Sequence, residues 1–496
     1  MNIKQAKEEI KHTVQAYLKK DESGSYQIPS IRQRPVLMMG PPGIGKTQIM
    51  EQIARECKIG LVSYTITHHT RQSAVGLPFI REEEFEGKTY SITEYTMSEI
   101  IASVYRKMRE TGLKEGILFI DEINCVSETL APTMLQFLQG KTFGNQKVPE
   151  GWLIVAAGNP PEYNKSVRDF DMVTLDRVRC INVDADLGVW KAYARAQHMN
   201  SAILSYLELR PKNFYRVEAD VDGLKFVTAR GWEDLSNLMD VYEELQLPIV
   251  EEIIYEFLRH DEVAEDVFAY FDLYRKYQDD YGIPEILAGN VKPDIYARIY
   301  QAAFDERLSV VNLLLDGLQV GFRKALKDKY LTDTWYAWLK EYRTHVEDAA
   351  SPQEIYEELL AAKEAELFQG RQSGLFTKEE DQYQEILLKN LREGRPQAGL
   401  SGQDSFAEAK QGFDVQLKRL EETEQTAKAA LEAAFDFMER AFENGQEMVV
   451  FVTELTIGSD SARFLAEHTC ERYLNYNQEL LIGTRKAELL SELARD

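Results

Sequence analysis

The chain has 496 residues, 44% of them hydrophobic and 28% charged, the composition of a globular protein of several domains with a core that needs no disulfide staple. Its 82 acids against 58 bases give a formal net charge of -24, which argues against an extended basic surface for nucleic acid. The four cysteines, Cys57, Cys125, Cys180 and Cys470, form no CxxC spacing, no run of about 18 apolar residues offers a membrane span, and the charged first twenty residues lack the apolar centre of a signal peptide, so a reducing, cytoplasmic setting is expected.

Residues 1–30 open with an amphipathic helix, in which Ile3, Ala6, Ile10, Val14 and Leu18 recur at helical spacing. From 31 to 186, short apolar runs at 36–39, 61–65, 117–120, 153–157 and 180–183 alternate with helical segments. Runs of that length, apolar on both faces, predict buried strands of a parallel α/β sheet sandwiched by helices. Strands largely disappear after 186. Residues 187–285 read as an all-α segment carrying Trp190, Tyr193, Trp232, Leu235, Leu238 and Tyr242, and 286–392 as a further helical region with breaks near Gly289 and at 370–374. A linker is expected over 393–411, where EGRPQAGLSGQDS collects Gly, Ser and Pro.

From 412 to 496 a long helix and tail are expected. Phe413, Leu417, Leu420, Ala427, Leu431, Ala434, Met438 and Ala441 step by fours and threes, broken only at Glu424. Such a stripe, about four heptads long, suits either a coiled-coil arm for a partner or a helix packed on its own domain, and the second reading is preferred. A β-branched stretch, VVFVTELTIG, and a helix starting near Ser459 follow.

Residues 40–47 read GPPGIGKT, the G-x-x-x-x-G-K-[ST] pattern, between an apolar strand and a helix. The chemistry explains the spacing. Gly40, Pro41, Pro42, Gly43, Ile44 and Gly45 form a loop whose glycines let main-chain N–H groups turn towards a β-phosphate. The helix start adds its positive dipole end. Lys46 brings a point charge to the β- and γ-phosphates, and Thr47 a hydroxyl to Mg²⁺. The pattern therefore predicts ATP with Mg²⁺.

The run ILFIDE at 117–122 ends an apolar strand in two acids, the Walker B arrangement. Asp121 is the expected Mg²⁺ partner with Thr47, and Glu122 the general base for the attacking water. The next strand ends at Asn159, whose amide suits a sensor of the γ-phosphate; Asn-Pro is also an ordinary turn signal. His68 and His69 are adjacent, so on a strand their side chains would point apart and share no metal. Glu82–84 read as a solvated face or a partner contact.

Glycine loop, Asp-Glu strand end, Asn strand end and arginines, in this order, resemble the AAA+ ATPases, and more closely the MoxR-type branch grouped with dynein-related AAA domains. The resemblance covers about 30–280 and rests on GPPGIGKT, HHTRQSAVGLPFI, ILFIDEIN, AAGNPPEY, TLDRVR and TARGWEDL. It implies a P-loop NTPase sheet over 31–186, a helical lid over 187–285 and a hairpin inserted at about 75–97, turning at Gly87. It also implies that Arg177 is the arginine finger acting in trans, with Arg168 and Arg179 as alternatives, and that Arg230 is the sensor 2 arginine of the lid. Ala229 stands where related chains commonly have proline. Taken as residues alone, either arginine is more often a surface ion-pair partner.

The same resemblance implies a homo-oligomeric, hexameric ring, a protein substrate, a partner with a von Willebrand factor A domain, and chaperone-like remodelling or maturation. A nucleotide-gated scaffold without hydrolysis and a nucleic-acid motor are the alternatives; the complete set of Lys46, Asp121, Glu122, Asn159 and Arg177 and the acidic balance speak against them.

Overall fold

The computed structural model describes the chain except for residues 69–73, 75, 127–129, 144–145, 164–169, 171, 221–222, 347–350 and 481–496. The chain divides into two compact units, the first made of residues 1–189, 228–230 and 368–377, the second of 190–227, 231–367 and 378–496.

The first unit is built on five parallel strands: β1 (Val36–Met39), β2 (Gly60–Thr65), β3 (Gly116–Asp121), β4 (Trp152–Gly158) and β5 (Arg179–Asn182), in the spatial order β2-β3-β4-β1-β5. Their pattern follows from burial. β4 is buried at all seven positions, and β3 at all but Asp121. Leu118 and Ile120 pack into a cluster with Ile100, Ile101, Val104, Met134 and Phe137. Ile117 and Phe119 face the opposite side by the period-two rule and are equally buried. This double burial is why the strands read as continuous apolar runs rather than alternating ones.

Helix α1 (Ile3–Leu18) starts with a capping box, Asn2 accepting from the Gln5 N–H and the Gln5 side chain accepting from Asn2. Ala6, Ile10 and Val14 are buried. Lys7 and Lys11 each reach a Glu56 oxygen at 2.6 Å, fastening α1 to helix α2 (Lys46–Cys57). The insert is an antiparallel hairpin, Pro78–Phe85 with Lys88–Tyr95, turning at Glu86 and Gly87, both at positive φ (52° and 75°) as a two-residue hairpin turn demands. Its residues are mostly exposed on both faces, Glu82 and Glu84 among them.

The second unit is mostly helical, with two long helices, Phe304–Val346 and Gly402–Phe442, packed on each other. Phe413 meets Trp335 edge-on at 6.2 Å, and Gln416 and Arg419 close on the buried Asp328. The apolar stripe therefore packs on its own chain, although Leu417 is left exposed.

Two expectations need revision. The linker over 393–411 is shorter, because the second long helix already begins at Gly402, where the Ser401 hydroxyl accepts from the Asp404 N–H; that side-chain cap outweighs the local Gly and Ser content. The segment 187–285 also carries one antiparallel hairpin, Arg216–Asp220 with Gly223–Val227, among its helices. The β-branched stretch lies in a helix, Gln446–Ile457, with Met448, Phe451, Val452 and Leu455 buried at i, i+3, i+4 and i+7. No helix among the described residues is long and apolar enough to cross a membrane.

At Gly116, where β3 begins, an added Cβ would lie 2.7 Å from the Gly60 carbonyl oxygen and 2.7 Å from the buried Trp152 ring. Gly116→Ala is therefore expected to destabilise the first unit by about 1–3 kcal/mol, seen as an earlier urea transition. An unchanged midpoint would show that this contact relaxes freely.

Candidate functional site

Because β1, β3 and β4 run parallel, their carboxyl ends lie on one side of the sheet, where β3 ends in Asp121, β4 is followed by Asn159, and β1 leads through the loop to Lys46 and Thr47 at the start of α2. The loop 40–47 leaves β1 and turns into α2. Gly43 and Gly45 hold φ of 74° and 90°, a region other residues enter only at a cost, and Gly45 caps the helix. Gly40 packs so closely under the chain that a Cβ would sit 2.5 Å from the Val183 carbonyl oxygen. Ile44 is buried beside it.

Lys46 is 8% exposed. Its Nζ donates to the carbonyls of Gly40 (2.7 Å) and Pro41 (2.8 Å) and to Asn159 Oδ1 (2.9 Å). All three acceptors are neutral. Burial pushes this ammonium down to about 8, Asp121 opposes the shift, and the Arg230 guanidinium adds to it. A buried cation hydrogen-bonded to neutral oxygens, at a helix start lined by main-chain N–H groups, is the electrostatic complement of an anion.

Thr47 Oγ1 donates to Asp121 Oδ2 at 2.8 Å. A hydroxyl and a carboxylate in contact form an oxygen donor set suited to a hard cation such as Mg²⁺. Glu122 follows in a left-handed conformation at φ 56°, a strain of about 1–3 kcal/mol for a residue with a side chain. Three bonds enforce it: the Glu122 N–H donates to Asp121 Oδ1 (2.9 Å), the Ile123 N–H to Ala157 O (2.9 Å) and the Cys125 N–H to Glu122 O (2.9 Å).

Asn124, to which the sequence assigned no role, is 2% exposed, and its amide bonds both main-chain groups of Asn159. Its sequence signal was its place at the end of ILFIDEIN, three residues after Asp121. Cys125 is half-buried, and burial raises its thiol.

The arginines separate by geometry. The Arg230 N–H donates to the Gly43 carbonyl at 3.1 Å, and a Cβ on Gly43 would touch Thr228 and Arg230, so residues 228–230 lie against the loop. Arg177 is exposed at the turn after Met172–Leu175, and its guanidinium donates to the Gln139 amide oxygen. Arg179 is engaged within the chain, to Thr13 Oγ1 at 2.6 Å and to Glu9. Its geometry favours a tie to α1 over a finger. Arg168 and His69 lie outside the described residues, as does the His68 side chain.

Residues 36–174 match the family model AAA, the ATPase family associated with various cellular activities. That span runs from β1 to the short helix before Arg177 and includes the loop, the acidic strand tip and Asn159. Comparison with curated proteins finds no match. The family segment supports nucleotide binding and ATP-driven activity, and the geometry of Lys46, Thr47 and Asp121 fits a triphosphate with a divalent cation.

The Lys46 environment sets a pH dependence. Burial lowers the free ammonium to about 8, and a bound polyanion favours its charged form. Nucleotide binding is expected to take up protons increasingly as pH rises towards and through about 8, and to weaken above it. Titration calorimetry in buffers of different ionisation heat reads this directly; equal heats at pH 8 would contradict it.

Proposed function

We propose that this chain is an ATP-hydrolysing AAA+ motor of the MoxR type, working as a ring on partner proteins. The observation that carries the hydrolytic reading is the joining of the start of α2 to two strand ends, Thr47 to Asp121 and Lys46 to Asn159, in the first unit.

The residues divide the work. Lys46 and the N–H groups of residues 40–47 hold the β- and γ-phosphates and orient the γ-phosphorus for in-line attack. Mg²⁺, held by Thr47 and Asp121, would supply charge neutralisation across the phosphates. Glu122 takes a proton from water as the water oxygen bonds to the γ-phosphorus. The bond from that phosphorus to the β–γ bridging oxygen breaks, and ADP leaves with inorganic phosphate. Asn159 holds the γ-phosphate edge and the water with its amide. Arg230, against the loop, responds to the phosphates of its own nucleotide.

Arg177 acts on the nucleotide of a neighbouring copy. Its exposure, and a neutral partner in place of a carboxylate, support this assignment over Arg179. A residue supplied in trans makes the active state an oligomer, with a hexamer the state implied by kinship. A von Willebrand factor A domain partner, a protein substrate and chaperone-like maturation come from the same kinship. The net charge of -24 favours protein over nucleic-acid substrates.

Glu122→Gln should retain nucleotide binding and release phosphate roughly a hundredfold more slowly or worse, the scale of losing a general base. Wild-type turnover in this variant would remove Glu122 from its role, and no phosphate release from the unaltered chain would favour a nucleotide-gated scaffold. Arg177→Ala should lower turnover in the oligomer by about 10³-fold, whereas Arg179→Ala should leave turnover per folded chain near wild type. The opposite ranking would exchange the two assignments.

A further inference from the structure

The main-chain groups of Asn159 lie past the last residue of β4, where the strand ladder has ended. The Asn124 side chain takes the place of a neighbouring strand. Its Nδ2 donates to the Asn159 carbonyl at 2.8 Å, and its Oδ1 accepts from the Asn159 N–H at 3.3 Å. A primary amide offers a donor and an acceptor side by side, as a peptide group does. Aspartate lacks the donor, and glutamine would need room for another methylene where Asn124 is 2% exposed. The fit is tight on the strand side as well: a Cβ on Gly158 would fall 2.6 Å from Asn124 Oδ1.

The contact has two ends. Asn159 Oδ1 accepts from Lys46 Nζ at 2.9 Å, so the amide that anchors Asn159 also sets how that side chain meets the phosphate-binding lysine. On its other side Asn124 is two residues beyond Glu122, inside the turn that the Ile123 N–H ties to Ala157 O and the Cys125 N–H closes onto Glu122 O. One buried side chain therefore links the turn bearing Glu122 to the strand tip bearing Asn159.

We propose that Asn124 is a positioning residue for hydrolysis, acting through Asn159 to hold the sensor amide and the Glu122 turn in register. This rests on the ATPase reading above. Asn124 touches no substrate in this scheme; its effect is on alignment, and misplacing an aligned group by a fraction of an ångström lowers turnover more than affinity.

The test is a double-mutant cycle on the full-length chain, reading phosphate release and nucleotide affinity, with Glu122→Gln and the unaltered chain alongside. Asn124→Ala should lower kcat about tenfold or more while KM moves less than about threefold. The Asn124→Ala, Asn159→Ala pair should lose clearly less than the product of the two single losses, because part of the effect of Asn124 passes through Asn159. A general loss of folding would not produce that non-additivity. Should Asn124→Ala fail to fold, the isosteric Asn124→Asp, which keeps the acceptor and loses the donor, carries the same cycle. Unchanged kcat, or losses that multiply, would overturn the assignment. No phosphate release from the unaltered chain would instead overturn the ATPase reading, and this inference with it.

Discussion

The first unit depends on the parallel pairing of β3, β4 and β1, which sends three chain ends to one edge of the sheet. In such a sheet the carboxyl ends face a crevice, and ligands bind there. Here the consequence is local and measurable. The hydroxyl opening α2 lies 2.8 Å from the carboxylate ending β3, and the lysine beside it lies 2.9 Å from the amide after β4. Residues 46, 121 and 159 are distant in sequence. Only the sheet order β2-β3-β4-β1-β5 makes them neighbours.

That arrangement stores electrostatic tension. Lys46 is taken out of water and hydrogen-bonded to neutral acceptors, with the Asp121 and Glu122 carboxylates nearby attracting it and the Arg230 guanidinium repelling it. Hydrogen bonds to carbonyls reduce the desolvation cost of an ammonium but do not cancel its charge. An anion placed against Lys46 would compensate the desolvation of its charge. The strain at Glu122 is of the same kind: an unfavourable φ held by three hydrogen bonds fixes where a carboxylate begins, so its position is set before any ligand arrives.

Two short segments of the chain are grouped with the first unit although they lie far along the sequence. Residues 228–230 belong with the first unit although their neighbours on both sides belong with the second, and they touch the phosphate loop at Gly43. Residues 368–377, the end of the helix Pro352–Ser373 and the residues just after it, are likewise grouped with the first unit.

Much of this was legible in the sequence, for physical reasons. A strand buried on both faces must be apolar throughout, so β1 to β5 announced themselves as short apolar runs. A loop that wraps phosphate needs glycines with positive φ before a lysine and a threonine, and Gly43, Gly45, Lys46 and Thr47 stand in that order. A tight hairpin turn needs left-handed residues, and Gly87 marked it. Other features depended on contacts across the fold. The VVFVTELTIG stretch has strand-like composition, yet burial of Met448, Phe451, Val452 and Leu455 along one side makes it a helix, because packing outweighs intrinsic propensity. Arg177 and Arg179 look alike in sequence and differ only because Glu9 and Thr13 of a distant helix take up one of them. Composition and local pattern thus determined the sheet, the loop and the two acids, since those rest on burial period and backbone conformation. Tertiary structure alone decided which arginine is left exposed and which amide secures Asn159, since hydrogen-bond partners are chosen by proximity in space.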